Sequence, residues 1–138
     1  MRIDEETLKT TNEMAKDFYK RFYNFSRMKN HYDIFLSKLN RKNGNKILDV
    51  GCGTGRDTHY LSKLGFDVIG IDTSDEMLKY AKKGRGTFIK MDMREIDFES
   101  QPFIGVWCCA SLYHLNKNEA IGLLHNIYNL LLKDGLLF

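Results

Sequence analysis

Apolar residues in positions 1–40 recur at steps of mostly three or four, the spacing of one face of an α-helix. One series predicts a first helix, and a second series predicts another helix directly after it. The apolar positions are Leu8, Met14, Phe18, Phe22 and Phe25 in the first series, and Tyr32, Phe35, Leu36 and Leu39 in the second. The following segment, "RKNGN", is rich in turn-forming residues and ends this pattern. We therefore expect a helical N-terminal unit.

From Lys46 onward, short apolar runs typical of strands alternate with helical spacing. The predicted strands read "KILDV", "FDVIGID", "TFIKMD" and "FIGVWCCA". The segment "TSDE" predicts a capping box, with Thr73 as N-cap and Glu76 as its partner, at the start of the helix after the second strand. The last helix is expected to end at Gly135. Alternation of this kind is typical of right-handed βαβ units on a parallel sheet. The sequence therefore predicts an α/β protein with a doubly wound, mainly parallel sheet.

Three glycines in "ILDVGCGTGRD" directly follow the first predicted strand. Glycine suits positive φ and close approach of the backbone to another group. Because ligands of open parallel sheets bind beyond the carboxyl ends of the strands, Gly51, Gly53 and Gly55 are expected to form a ligand loop. The spacing is G-x-G-x-G, whereas the dinucleotide fingerprint is G-x-G-x-x-G, and Arg56 occupies the position of its third glycine. The phosphate-binding pattern G-x-x-x-x-G-K-[ST] does not occur in the sequence. A loop around a compact group is therefore favoured over a nicotinamide site.

Acidic residues end the next two predicted strands. Asp72 can accept hydrogen bonds from both hydroxyls of a ribose. Asp92 is followed by Met93, and a carboxylate beside a backbone N–H is suited to the edge of an adenine. Thr73 and Met77 are expected to provide walls for the ring. The glycine loop, the proposed ribose acceptor Asp72 and the proposed adenine acceptor Asp92 follow three successive strands. Together they form one set of candidate ligand contacts.

Composition narrows the class of protein. The chain has 138 residues, is 43% hydrophobic and carries a formal net charge of +3. Its longest apolar stretch is too short to cross a bilayer, and no basic stripe interleaved with aromatic residues indicates a nucleic-acid partner. Cys52, Cys108 and Cys109 lack C-x-x-C spacing, so we expect no metal site, and reduced thiols in a cytoplasmic protein. His59 and His125 are interpreted as solvent-facing or helix-face residues.

The segments "ILDVGCGTGRD", "VIGIDTSDEMLKYAK", "FIKMDMREI" and "WCCASLYHL" together resemble the motifs of class I S-adenosylmethionine-dependent methyltransferases of the small bacterial type. The similarity extends from about residue 44 to the last residue. It implies a helical lid over residues 1–40, a Rossmann-like core over residues 41–138, and methyl transfer from S-adenosylmethionine to a small molecule. The family's sheet ends in a strand hairpin that this chain lacks, since "KDGLLF" reaches only the start of a fifth strand.

The resemblance also implies roles for single residues. Asp49 would anchor the glycine loop, Arg56 would reach the methionine carboxylate, and Tyr19 on the first helix would close over the cofactor. Cys109 and Ala110 would line the donor methyl group. The complete set of expected cofactor-binding residues is Tyr19, Asp49, Gly51, Cys52, Gly53, Arg56, Asp72, Thr73, Met77, Asp92, Met93, Cys109 and Ala110.

Methyl transfer needs no dedicated catalytic residue, because the donor is already activated. If a base is used, His114 is the candidate, since it follows the fourth strand and an unperturbed histidine titrates near neutrality. Alternatively, His114 only caps or packs its loop.

Alternatives to an active methyltransferase are a truncated methyltransferase-like domain that binds the cofactor without turnover, or one that serves as an interaction module. The open apolar edge of a shortened sheet is prone to pairing. We therefore expect another copy of the chain to cover it, as a homo-oligomer.

Overall fold

The computed structural model describes residues 5–99 and 102–138. The helices within these ranges are α1 (Glu5–Phe22), α2 (Lys29–Lys38), α3 (Arg56–Lys63), α4 (Asp75–Ala81) and α5 (Lys117–Leu130). The strands are β1 (Lys46–Val50), β2 (Asp67–Asp72), β3 (Thr87–Lys90), β4 (Phe103–Trp107) and β5 (Leu131–Leu137). None of these helices combines the length and apolar character of a membrane span.

The strands form one sheet in the order β3-β2-β1-β4-β5, and all neighbouring strands are parallel. The predicted α/β fold with a doubly wound, parallel sheet is confirmed. The chain moves outward from β1 to β3 on one side and from β4 to β5 on the other. The strand order therefore reverses between β1 and β4, and the crevice beyond their carboxyl ends is the usual ligand position in such sheets.

Apolar side chains on both faces of the sheet form the core. Alternate residues of a strand point to opposite faces, so Ile47 and Leu48 belong to two different buried clusters. The cluster around Leu48 includes Leu123 and Ile127 of α5. The cluster around Ile47 includes residues of α2 and α3, among them Leu61. Helices thus cover both faces of the central strands, which fixes the strand ends that carry the site.

The two N-terminal helices differ in how they join this core. In α2, Tyr32 and Phe35 are fully buried, and their rings lie 5.2 Å and 5.1 Å from the Trp107 ring, centroid to centroid. In α1, Ala15 is the one buried residue. Helix α2 is therefore part of the core packing, whereas α1 lies over the edge of the sheet. The division into units 1–40 and 41–138 stays a prediction.

The last helix ends earlier than the sequence pattern predicts. Leu131 pairs with Phe103, so β5 begins immediately after α5, and the expected end at Gly135 is wrong. The apolar spacing of Leu130 to Leu132 fits a helix equally well, but pairing with β4 prevails. Asp134 then adopts a φ of 64°, within the irregular part of the β4–β5 register.

The start of α4 also differs by one residue from the prediction. Ser74 is the N-cap, and its hydroxyl accepts a hydrogen bond from the Met77 N–H at 3.1 Å. Thr73 lies outside the helix, between β2 and this cap. Both residues have hydroxyl groups that suit a cap, and the position at which the chain turns decides between them.

Candidate functional site

A cavity of about 840 Å³ lies between α1 and the carboxyl-terminal edge of the sheet. Its volume is within the range of small-molecule sites in proteins. Among the predicted site residues, those that line the cavity are Gly51, Cys52, Gly53, Arg56, Asp72, Thr73, Met77, Met93, Cys109, Ala110 and His114. Tyr19, Asp49 and Asp92 do not line it.

The glycine loop requires its glycines for conformation and for space. Gly51, Gly53 and Gly55 have φ values of 72°, 53° and 86°, in the left-handed region that other residues avoid. A Cβ atom on Gly51 would lie 2.6 Å from the Cβ of Ser111, so the loop after β1 and the segment after β4 meet here. On Gly53, a Cβ atom would meet only a ring carbon of Phe18, at 3.8 Å. Gly51 is thus needed for packing, whereas Gly53 faces the cavity.

Hydrogen bonds fix this loop to the end of β2. The N–H groups of Gly51 and Cys52 both donate to the Ile71 carbonyl oxygen at 2.9 Å. The Gly53 N–H donates to Oδ2 of Asp72 at 2.9 Å, and the Ser74 N–H donates to Oδ1 at 2.9 Å. A carboxylate offers about four acceptor positions, so these hydrogen bonds do not saturate Asp72. Asp72 therefore holds the loop and retains acceptors at the cavity.

Burial raises the pKa of Asp72, although its backbone hydrogen bonds and the nearby His114 act in the opposite direction. Burial of a carboxylate is unfavourable, so a ligand that donates further hydrogen bonds to it stabilises its charged form. Asp72 is therefore a carboxylate at the cavity that further hydrogen-bond donors would stabilise.

Asp49 lies beneath the loop instead of in the cavity. It is buried, and its Oδ2 accepts a hydrogen bond from the Thr58 hydroxyl of α3 at 2.6 Å. Burial and the nearby Asp57 raise its pKa, to about 8. Asp49 thus links β1 to α3, which is compatible with the predicted role as anchor of the loop.

Arg56 and Asp57 form the centre of a second network beside the cavity. Arg56 donates from Nε and a terminal nitrogen to the two Asp57 oxygens, at 2.8 Å and 3.1 Å. The same carboxylate accepts hydrogen bonds from the Tyr32 hydroxyl and, at 2.9 Å, from the Trp107 indole N–H. Asp57 therefore joins α2, α3 and β4. Burial and the adjacent Asp57 raise the pKa of the Tyr32 phenol.

The predicted adenine acid has a different partner in the structure. The Asp92 carboxylate accepts three hydrogen bonds from the Arg94 guanidinium, the shortest at 2.7 Å. Arg94 also contacts Glu119 of α5 at 3.4 Å. Asp92 also caps the short helical turn that follows it. The neighbouring Met93 lines the cavity. Met93 thus lies at the cavity and the Asp92 carboxylate is paired with Arg94, while the adenine contact of both residues stays a prediction.

Helix α1 has two functional faces. Asn12 and Tyr19 face α4: the Asn12 side-chain oxygen accepts from the Ser74 hydroxyl at 2.6 Å, and the Tyr19 ring stacks on Tyr80 at 4.8 Å. Met14, Phe18 and Phe22, four residues apart, line the cavity instead. Tyr19 therefore attaches the helix and is not placed to close over a ligand, because one residue step rotates a side chain by about 100° around a helix.

The segment after β4 forms the wall opposite α1. Ala110 has a φ of 55°, unusual for a residue with a Cβ atom. The Ser111 hydroxyl donates to the Val50 carbonyl oxygen at 2.9 Å and so ties this segment to the end of β1. Cys109, Ala110, Tyr113 and His114 line the cavity beyond it. Within the described ranges, histidine, cysteine and acidic side chains form no cluster of three or more that suits a metal ion.

His59 is a buried residue that the sequence interpretation missed. Its Nε2 lies 2.6 Å from the Ala81 carbonyl oxygen, and its Nδ1 lies 3.3 Å from the Tyr23 hydroxyl. The interpretation as a solvent-facing residue is wrong because Gly55 and α4 enclose the ring. Burial lowers the pKa of His59, which favours the neutral imidazole. No spacing in the sequence indicates this contact, since Ala81 is remote in the chain.

A family model described as a methyltransferase domain matches residues 47–135. The chain belongs to the methyltransferase domain family. The matched residues include the glycine loop, the ends of β2 and β3, and the segment after β4, so the family match covers most of the cavity wall outside α1.

Curated relatives of this methyltransferase domain agree with the family match. YqeM of Bacillus subtilis (strain 168) is 39% identical to this chain over 99 residues. These residues make up 67% of this chain and 40% of YqeM, whose name describes it provisionally as a methyltransferase. The sterol 24-C-methyltransferase ERG6 of Saccharomyces cerevisiae is 32% identical over 114 residues, 76% of this chain and 29% of ERG6. The domain thus spans about two fifths of the length of YqeM.

Solved structures share the fold of this methyltransferase domain. The magnesium protoporphyrin IX methyltransferase ChlM of Synechocystis PCC 6803, solved with bound SAM, has a TM-score of 0.75 at 19% identity, over 95% of this chain and 73% of ChlM. The PH0226 protein of Pyrococcus horikoshii OT3 has a TM-score of 0.72 at 25% identity, over 86% of this chain and 62% of that protein. At 19% identity, the likeness to ChlM shows the fold alone.

Proposed function

We propose that this chain binds S-adenosylmethionine in the cavity and transfers its methyl group to a small-molecule acceptor. The observation that carries the proposal is the junction of the glycine loop with Asp72, where Gly53 and Ser74 orient a carboxylate at the cavity without saturating it. The glycine loop of this junction follows β1, one of the two strands between which the strand order reverses, in a methyltransferase domain.

The residues of the cavity divide the binding task. Asp72 accepts hydrogen bonds from the ribose hydroxyls, and Met77 and Met93 pack against the adenine. Gly51 and Gly53 border the methionine part, and Cys109 and Ala110 lie along the methyl group. These roles are supported by position, since all seven residues line one cavity.

Bound S-adenosylmethionine supplies a methyl group on a sulfonium, which needs no further activation. The chain contributes orientation and exclusion of water, so that the acceptor attacks in line with the breaking carbon–sulfur bond. The electron pair of that bond stays on sulfur, and the acceptor's proton leaves. His114 lines the cavity and is the group that takes this proton.

Replacing Asp72 tests the cofactor site. Asp72→Ala removes the acceptors for the ribose, so binding of S-adenosylhomocysteine should weaken by about 1.5–3 kcal/mol. Isothermal titration calorimetry measures this, with NAD as a ligand expected not to bind. Asp75→Ala is the matched control, because Asp75 begins α4, pairs with Lys90 at 2.5 Å and lies outside the cavity lining.

If Asp72→Ala binds S-adenosylhomocysteine as tightly as the unchanged chain does, the assignment of Asp72 as the acceptor for the ribose hydroxyls is contradicted. Methyl transfer is then tested separately with radiolabelled S-adenosylmethionine. Tight binding without transfer to any acceptor would support instead the alternative of a domain that binds without turnover.

A cytoplasmic location stays a prediction. Pairing of the outer edge of β5 with a second copy of the chain also stays a prediction. Sedimentation equilibrium tests the pairing: a homo-oligomer should dissociate when Leu132 is replaced by Lys, and a monomeric parent chain would contradict it.

A further inference from the structure

The cavity has an apolar wall that the proposed cofactor contacts do not use. We give the name apolar wall to Met14, Phe18, Phe22, Met28 and Tyr113, all of which line the cavity. All except Met28 are exposed despite their apolar character. Exposed large apolar side chains are informative when they gather on one concave surface, because such surfaces bind ligands.

Contacts place the Phe22 end of the apolar wall on the β4 side of the cavity. The Phe22 carbonyl oxygen accepts a hydrogen bond from Arg56 at 3.3 Å, and the same guanidinium lies 3.9 Å from the Cys109 sulfur. Asp72 and Met93 follow β2 and β3 and lie on the other side of the strand-order reversal. The cavity volume of about 840 Å³ is near the upper end of single-ligand sites, so there is room for a second small molecule beside the cofactor.

The aromatic rings at this wall already have a defined geometry. The centroids of Phe18 and Phe22 lie 4.7 Å apart with planes inclined by 44°, an arrangement in which aromatic rings attract one another. A planar ring can extend this pair on its cavity side. A saturated chain would gain area but not the aromatic contact.

Charges at the cavity exclude one class of acceptor. Among the described residues that line it, Arg56 is the only arginine or lysine. Its Nε and one terminal nitrogen already bind Asp57, and the other terminal nitrogen binds the Phe22 carbonyl oxygen. The carboxylate of the proposed cofactor would also compete for Arg56. The wall therefore offers no further arginine or lysine to a carboxylate or phosphate on the acceptor, and such a group would be desolvated without compensation.

We propose that the apolar wall is the acceptor subsite and that it takes a planar aromatic molecule that has no carboxylate or phosphate and carries the nucleophilic hydroxyl, amine or thiol group. This assignment rests on the proposed methyltransferase function and gives the substrate class of the same site. Phe22 and Tyr113 flank the aromatic ring, and the nucleophile is directed towards Cys109, Ala110 and His114.

The probe for this subsite is 2-naphthol, titrated by its own fluorescence into the complex of the chain with S-adenosylhomocysteine. Binding of 2-naphthol should be saturable, and 6-hydroxy-2-naphthoate, which adds only a carboxylate, should bind at least about tenfold more weakly. Phe22→Ala should weaken binding of 2-naphthol by about tenfold and leave the affinity for S-adenosylhomocysteine unchanged. Phe22→Tyr, which keeps a ring, should restore most of the affinity.

Phe25→Ala is the matched control. Phe25 is 41% exposed, against 44% for Phe22, but its ring packs on Tyr60 at 4.9 Å and does not line the cavity. Unchanged binding of both ligands in this variant supports the proposal, and a loss of 2-naphthol binding equal to that of Phe22→Ala overturns it.

The outcomes separate this proposal from the proposed function. Failure of S-adenosylhomocysteine to bind overturns the methyltransferase function and the acceptor assignment that rests on it. If S-adenosylhomocysteine binds but 2-naphthol does not, or if the naphthoate binds as tightly, only the acceptor assignment is overturned.

Discussion

The carboxyl-terminal edge of the sheet and helix α1 face each other across one cavity, but they are held in place differently. At the sheet edge, Gly51, Cys52 and Gly53 each donate a backbone hydrogen bond to the end of β2, and the glycines adopt conformations open to few other residues. Helix α1 buries only Ala15 and meets α4 through a few side chains such as Asn12. One wall is thus fixed by directional bonds, and the other is attached by sparse contacts. A wall of the first kind suits a constant ligand, and one of the second kind can adapt.

The largest expected difference between the two walls is in the glycine loop. Gly51→Ala places a Cβ atom 2.6 Å from that of Ser111 at a φ of 72°. The strained conformation and the overpacking should together lower the free energy of unfolding by roughly 4 kcal/mol. Urea denaturation followed by circular dichroism measures this.

Gly122→Ala is the control for that experiment. A Cβ atom there meets nothing within 4 Å, and Gly122 lies inside α5. This change should stabilise the protein by about 0.5–1 kcal/mol, since alanine favours a helix. Equal effects of the two substitutions would contradict the description of a rigid loop.

The Asp57 network, which joins α2, α3 and β4 beside the cavity, should give the next largest effect. Asp57→Asn leaves the partly buried Arg56 without its anion and disturbs the hydrogen bonds from Tyr32 and Trp107, at a cost of about 3 kcal/mol in unfolding free energy. Thermal and urea unfolding measure this cost. Asp33→Asn, which removes a solvent-exposed pair with Lys29, should cost less than about 0.5 kcal/mol. A small effect at Asp57 would mean that the network contributes little to joining α2, α3 and β4.

Attachment of α1 can be weakened without disturbing the sheet edge. Asn12→Ala removes the acceptor of the Ser74 hydroxyl, so local opening of α1 should become easier by about 1 kcal/mol. Amide hydrogen exchange should then accelerate in α1 and stay unchanged in β1 and β2. Lys9→Ala, at an exposed position of the same helix, should leave both rates as they are. Faster exchange in the strands as well would show that the two walls are coupled.

The smallest expected effect is the pH dependence from His59. Burial lowers the pKa of His59 in the folded state below its ordinary value near 6.5, so the unfolded chain binds the proton first. Stability is then lost as the pH falls through 6.5 towards the folded pKa, with a slope of at most about 1.4 kcal/mol per pH unit. Asp49, whose pKa is raised, gives a slope of the opposite sign.

The contribution of His59 is therefore measured as a difference between variants. Urea unfolding at pH 5, 6 and 7 should show a shallower acid loss in His59→Gln than in the parent chain. His125→Gln, at an exposed position of α5, should keep the parent slope. An unchanged slope in His59→Gln would contradict a buried, neutral imidazole.

Much of the fold could be predicted from the sequence, because periodicity encodes which face of each element is buried. The alternation from β1 to α5 predicts a parallel sheet, and the sheet is confirmed. The end of α5 was not predictable, since Leu131 and Leu132 fit a helix and a strand equally well and only the partner Phe103 decides. Local patterns fix the type of an element better than its boundary.

The candidate site was predictable where it depends on the chain's own local conformation. The glycines and Asp72 follow strands directly, so their placement at one edge is a consequence of the parallel sheet. Contacts between remote segments leave no such signal. The stacking of Tyr19 on Tyr80 and the pairing of Asp92 with Arg94 both depend on side-chain directions that spacing does not specify.

The two faces of α1 also have an evolutionary consequence. Met14, Phe18 and Phe22 line the cavity, while Asn12, Ala15 and Tyr19 attach the helix, so the two sets can mutate independently. New ligand preferences of the cavity can then arise by drift at three positions of one helix, while the scaffold keeps its melting temperature. A library that randomises those three positions should consist largely of folded proteins that differ in which molecules they bind.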